Sequence, residues 1–202
     1  MNSKVVGLTG QTGAGKSTVC EMMKNLSCEI ISADKIAREA TQTGSECLKR
    51  LADCFGYDII NNDGSCNRKL LAQKAFSSRK STDLLNSITH PWILKRTSEY
   101  IEQYKSNGCD IIVFDAPQLF ESGGEKMCNL IVAVTAPLKI RLSRIMKRDG
   151  ITEKEALLRI NAQFDESYYT SRADYVIDGS MSLEQVRAKI TEIIAEIRKA
   201  GV

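Results

Sequence analysis

The residues with the most definite chemistry lie near the start of the 202-residue chain, in Gly10-Gln11-Thr12-Gly13-Ala14-Gly15-Lys16-Ser17. This octapeptide satisfies G-x-x-x-x-G-K-[ST], the pattern of a phosphate-binding loop, in full. Its glycines permit backbone conformations that aim successive N–H groups inward, and the helix that follows offers its positive end to the same anion. Lys16 is placed to reach the β- and γ-phosphates, and the Ser17 hydroxyl to ligate Mg²⁺. Gly13, Ala14, Gly15, Lys16, Ser17 and Thr18 are therefore the expected ATP-binding residues, with Mg²⁺ as the cofactor. A glycine-rich turn with a solvated lysine is the competing reading. The apolar run Val5-Val6-Gly7-Leu8 before the loop and the helical stretch Val19–Leu26 behind it favour the nucleotide.

The acceptor of the phosphoryl group is sought among other residues. No Asn-Lys-x-Asp guanine-reading element occurs, and Ile112-Val113-Phe114-Asp115 is followed by Ala116-Pro117 with no glutamate to activate water. Transfer to a bound acceptor is thus favoured over hydrolysis. Asp34 follows Glu29-Ile30-Ile31, at a strand end where α/β sheets collect ligand-binding groups, and is the candidate general base. The plain alternative is that Asp34 caps the helix Lys35–Ala40. Asp115, also at a strand end, is a candidate to orient Mg²⁺ through water or to contact the acceptor, or simply caps its strand. Arg141, Arg144 and Arg148 share one face of a predicted helix Leu138–Arg148, opposite Leu138, Leu142, Ile145 and Met146. From spacing alone such a row is an ordinary solvated face.

These residues need a scaffold. Strand-length apolar runs recur at Val5–Leu8, Glu29–Ile31, Asp110–Phe114, Leu130–Val134 and Tyr175–Ile177, as in a parallel sheet covered by helices. Capping boxes at Thr152/Glu155 and Ser182/Gln185 start two helices; the second carries Val186, Ile190, Ile193, Ile194 and Ile197 at helical spacing. Between Ser32 and Asn107 the pattern is helical, broken by the turn-like Asn61-Asn62-Asp63-Gly64. That stretch far exceeds the dozen or so residues a βαβ crossover needs, so it is read as an inserted helical subdomain. Trp92 and the pair Tyr168-Tyr169 are candidates to stack on adenine, although core packing is the commoner fate of aromatics. His90, the sole histidine, precedes Pro91, which biases it toward a helix start.

Hydrophobic residues at 43% and charged residues at 26% describe a globular chain and exclude extended disorder. With 28 Lys and Arg against 25 Asp and Glu, the net charge of +3 gives no reason to expect nucleic acid as a partner. Seven scattered cysteines without a CxxC pair read as reduced thiols and offer no zinc site. Neither a signal peptide nor a membrane span of about 18 apolar residues is apparent, so a cytoplasmic protein without a membrane partner is expected.

Taken in order, the motifs resemble the dephospho-coenzyme A kinase family over nearly the whole chain. Gly7–Ser17 is similar to its GLTGGIGSGKS, and Ser32-Ala33-Asp34 stands where the family has Asp-Ala-Asp. Phe55-Gly56, Asp63-Gly64, Arg68 and Leu71 resemble FG…DG-x-L-D-R-x-x-L, and His90-Pro91 its HP pair. Asp115–Glu121 is close to DAPLLFE, and Arg144, Arg148-Asp149, Arg159-Ile160 and Gln163 match the lid pattern R-x-x-x-R-D…R-I-x-x-Q. Ser32, Cys66, Asn67 and Gln118 depart from these motifs.

The resemblance implies a three-layer P-loop kinase fold with about five parallel strands. The core would comprise about 1–34, 108–137 and 172–202, with a helical acceptor subdomain at about 35–107 and a lid at about 138–171. It implies ATP-dependent phosphorylation of the ribose 3′-hydroxyl of dephospho-coenzyme A, by a monomer or weak homo-oligomer. It makes Arg144 a catalytic lid residue, Arg148 an ATP contact, and Asp34, Arg68, His90 and Asp115 acceptor-side residues. Arg68 would hold an acceptor pyrophosphate or else bridge to a neighbouring acid. Asp178-Gly179-Ser180 would lie near the adenine. A nucleotide or nucleoside kinase of the same fold, or an ATP-binding regulatory module without turnover, are the alternatives.

Overall fold

The computed structural model describes residues 3–199. The chain forms two compact units, Met1–Ile31 with Ile101–Val202, and Ser32–Tyr100 between them.

The first unit is an α/β sandwich. Strand β1 (Lys4–Gly10) is buried from Val5 onward and runs straight into the phosphate loop and helix α1 (Lys16–Asn25). The strands β2 (Glu29–Ser32), β3 (Ile111–Asp115), β4 (Leu130–Thr135) and β5 (Tyr175–Asp178) complete a five-stranded parallel sheet in the order β2-β3-β1-β4-β5. Leu8 pairs with Asp115 on one side and Val132 on the other, so β1 is a central strand and Asp115 ends level with the loop. All five strands coincide with the apolar runs; β1 and β3 are buried almost throughout, as strands covered on both faces are, whereas the edge strands β2 and β5 expose Glu29, Val176 and Asp178.

One face is covered by α1 and by the last helix, α9 (Leu183–Lys199). Val186, Ile190, Ile193, Ile194 and Ile197 enter a single core with Val19, Met23, Val6, Leu8 and Val134. Each such side chain contributes about 1.5–3 kcal/mol by leaving water. On the other face a Cβ at Gly7 would fall 2.8 Å from Leu119 and 2.9 Å from the Cys128 sulfur, so the chain after β3 packs directly on the strand backbone. Helices α6 (Leu138–Asp149), α7 (Glu153–Asn161) and α8 (Glu166–Thr170) lie between β4 and β5 in sequence. Both capping boxes form: Thr152 with Glu155 opens α7, and Ser182 exchanges hydrogen bonds with Gln185 before α9.

The second unit is helical, with α2 (Ala33–Ala40), α3 (Glu46–Phe55), α4 (Arg68–Ala75) and most of α5 (Arg79–Ser106). Leu48, Leu51, Ala52, Ile59, Leu71 and Ile88 form its core. The Asn61–Gly64 turn is present, closed by Gly64 N–H donating to the Asn61 carbonyl at 2.9 Å. One expectation fails: Pro91 does not lie at a helix start but inside α5, a 28-residue helix. A proline there removes one backbone donor, and burial of Ile88 and Ile101 on either side offsets part of that local loss.

All seven cysteines are free. Burial pushes the Cys28 thiol up to about 11 and the Cys128 thiol up to about 12.

Candidate active site

The phosphate loop is built from backbone before any side chain is considered. Gly13 (φ 78°) and Gly15 (φ 107°) adopt left-handed conformations, and a Cβ on Gly13 would lie 2.7 Å from the Arg141 carbonyl oxygen. Gly15 opens α1 without a side-chain cap. The N–H groups of Gly13, Gly15, Lys16 and Ser17 donate to no acceptor among the described residues, whereas Thr18 and Val19 already donate to the Gly15 carbonyl. Four unmatched donors at a helix N-terminus are an anion nest.

Lys16 forms an ion pair with Asp115, and both side chains are largely buried, 14% and 16% exposed. Asp115 therefore holds the loop lysine rather than capping its strand. Arg144 reaches the loop from α6: Nη1 donates to the carbonyls of Gly13 (3.3 Å) and Ala14 (3.1 Å), and Nη2 to that of Gly179 (2.8 Å). Gly179, after β5, lies so close to Ala14 that a Cβ would collide with its carbonyl oxygen. Asp178 accepts from Ser180, which with Arg144 holds its carboxyl below the usual range. On the other edge of the loop, the Gln11 amide donates to the Phe164 carbonyl (2.9 Å) and Thr12 N–H donates to Gln163 Oε1 (2.8 Å).

The arginine row on α6 divides three ways. Arg148 forms a two-pronged pair with Asp149 (2.7 and 2.9 Å), and Arg159 from α7 joins the same carboxylate at 2.5 Å. Arg141, expected on a solvated face, is instead 6% exposed, with Nε and Nη1 unpartnered. The α6 backbone presses against Gly13 at this point, so the Arg141 side chain leaves toward Glu166 and Tyr169 rather than toward water. Burial lowers its pKa, opposed by those two groups.

In the helical unit, Asp34 is exposed in the first turn of α2, two residues beyond the end of β2. It is not the cap: Ser32 takes that place, accepting from Lys35 N–H. Arg68 begins α4, exposed, and donates to the Arg38 carbonyl at 3.3 Å rather than to an acid. His90 lies half-buried within α5. Next to it, Pro91 and Trp92 line a cavity of about 680 Å³ with Ile88, Arg50 and Lys95. Thus the α/β unit brings Gly13, Ala14, Gly15, Lys16, Ser17, Asp115 and Arg144 together, with Thr18 in the first turn of α1, while Arg148 is turned onto Asp149.

Residues 4–185 match the family model described as Dephospho-CoA kinase. A protein named Dephospho-CoA kinase from Corynebacterium glutamicum is 38% identical over 192 residues, covering 95% of this chain and 98% of that one. The chain belongs to the dephospho-CoA kinase family. Among solved structures of similar fold, the dephospho-CoA kinase from Campylobacter jejuni superposes with a TM-score of 0.73 at 26% identity over the whole of both chains. TT1252 from Thermus thermophilus gives 0.81 at 28% identity, covering 97% of this chain and 98% of that one. For a dephospho-CoA kinase family member, the loop, Lys16 and Ser17 were plain in the sequence. The contributions of Gln11 and Phe164 were not, since one is made by a loop position without a required residue type and the other by a backbone carbonyl. The Asp178-Gly179-Ser180 segment carried a signal in its glycine, whose missing side chain lets it meet Ala14.

Proposed function

We propose that this enzyme transfers the γ-phosphoryl group of ATP to the ribose 3′-hydroxyl of dephospho-coenzyme A, releasing coenzyme A and ADP as the last step of coenzyme A synthesis. The observation that carries the reading is the anion nest at Gly13–Ser17 with Lys16 and Arg144 already held against it. Phosphoryl transfer depends chiefly on positioning and charge neutralisation, which such a cradle supplies.

In this mechanism the loop N–H groups and Lys16 bind the β- and γ-phosphates. Asp115 keeps the Lys16 side chain ordered beside the loop. Arg144 turns part of its fork from the carbonyls onto the transferring phosphoryl group, and Arg148, oriented by Asp149, contacts the nucleotide. Asp34 accepts the proton as the ribose oxygen bonds to the γ-phosphorus and the bond to the β–γ bridging oxygen breaks, leaving with ADP. Arg68 and the residues around His90 hold the rest of the acceptor. The Ser17 hydroxyl, with the Asp115 carboxylate nearby on Lys16, is a hard-oxygen set that suits Mg²⁺ carried mainly by phosphates. When bound, Mg²⁺ neutralises charge on the β- and γ-oxygens. Among the described residues no helix is long and apolar enough to cross a membrane, and the free thiols suit a reducing cytoplasm.

The test is ADP release from ATP and Mg²⁺ with dephospho-coenzyme A, AMP or adenosine as acceptor. Dephospho-coenzyme A alone should stimulate turnover. Asp34→Asn should lower kcat about 10²–10⁴-fold with the KM for ATP unchanged. Preference for AMP or adenosine would overturn the acceptor, and an active Asp34→Asn the base.

A further inference from the structure

Phe164 is 50% exposed, although its backbone is tied to the phosphate loop. It stacks on Tyr168 with centroids 4.0 Å apart and planes 16° from parallel. The Arg172 guanidinium carbon lies 3.9 Å from the Tyr168 centroid and must occupy the opposite face, since two groups that close cannot share one. Tyr169, buried, and Phe120 meet Tyr168 edge-on, at 82° and 88°. Arg172 is itself fixed by donating to the Tyr168 carbonyl at 3.2 Å. Tyr168 is therefore engaged on both faces and at its edge, and the column ends at the half-exposed Phe164.

The position of that residue is set by the loop. Gln11, itself 5% exposed, donates to Phe164 O, and the preceding Gln163 accepts from Thr12 N–H. The Phe164 backbone is thus fixed at the Gln11–Thr12 edge of the phosphate cradle, while Arg144 and Gly179 occupy the Gly13–Gly15 edge. A rigid, ordered π-face beside a phosphoryl-transfer centre calls for a planar ligand, because stacking there loses no side-chain freedom.

We infer that the outer face of Phe164 stacks the adenine ring of the acceptor. The inference rests on the reading of dephospho-coenzyme A as acceptor, and its reason is chemical. The attacking hydroxyl belongs to the ribose that carries this adenine, so the base comes to rest within one sugar ring of the reacting oxygen and hence beside the loop. The adenine of ATP is separated from its own γ-phosphorus by the ribose and two further phosphates. Phe164 is accordingly a specificity-determining residue for acceptors bearing a purine.

Steady-state kinetics on Phe164→Ala, Phe164→Leu and Phe164→Trp test the inference. Alanine should raise the KM for dephospho-coenzyme A about tenfold, in keeping with base stacking on aromatics, with kcat and the KM for ATP changed less than about twofold. Leucine, apolar but without a π-face, should recover only part of the loss, and tryptophan all of it. Thermal unfolding of each variant separates this from a packing role: recovery by leucine equal to that by tryptophan would overturn the inference. So would an unchanged acceptor KM in Phe164→Ala, or a rise in the KM for ATP alone, which would put the base of ATP on the ring. A wild-type enzyme inactive on dephospho-coenzyme A would instead remove the proposed function on which this rests.

Discussion

At its Gln11–Thr12 edge the phosphate loop is tied by two neutral amides, whereas at its Gly13–Gly15 edge the tie is a guanidinium and the close approach of a glycine. The neutral ties hold a shape and have little to gain from a phosphate. The charged tie does: a guanidinium bonds more strongly to an anionic oxygen than to a carbonyl, so Arg144 has a better partner once a triphosphate fills the nest. One edge is scaffold, and the other is poised to exchange partners.

The largest expected effect tests the charged edge. Arg144→Met should lower kcat about 10²–10³-fold, as loss of one preorganised donor does in other enzymes, with the melting temperature barely moved. A fall in melting temperature with kcat preserved would make Arg144 scaffold and erase the contrast. Next, Gly179→Ala forces a Cβ onto the Ala14 carbonyl, and urea unfolding should show a loss of about 1–3 kcal/mol, the usual cost of overpacking. The smallest effect belongs to the neutral edge. Gln163→Ala strips the acceptor from Thr12 N–H and should cost about 1 kcal/mol of stability. ATP binding by this variant should keep the salt dependence of the wild type, while that of Arg144→Met should become flatter.

The two units were not equally legible in the sequence. The five strands, the loop and both capping boxes announced themselves because each is fixed by local chemistry: an apolar run, a glycine pattern, or a hydroxyl three residues from an acid or amide. Pro91 was misleading, since the donor and space it takes away are a local loss, and α5 continues through it with Ile88 and Ile101 buried on either side. Arg141 misled for a related reason. Its spacing with Arg144 and Arg148 placed all three on one face, but spacing does not say what faces them, and Gly13 admits the α6 backbone so closely that Arg141 is enclosed. The tyrosine pair split: Tyr169 is core and Tyr168 is the middle of a stack. Ser32 departs from the family motif yet does the capping that was the alternative role for Asp34, leaving the Asp34 carboxylate with no capping task.

The buried thiols bear on a hazard peculiar to this chemistry. Dephospho-coenzyme A and coenzyme A both end in a sulfhydryl group, and their oxidised forms exchange with any protein thiolate they meet. With Cys28 and Cys128 pushed up to about 11 and about 12, their thiolate fractions at neutral pH are on the order of 10⁻⁴ or less. The sheet-bearing unit can therefore handle thiol cargo without becoming disulfide-linked to it through these two residues. Such adducts would form first at Cys54, exposed on α3 in the helical unit, and mass spectrometry of protein treated with coenzyme A disulfide would find them there.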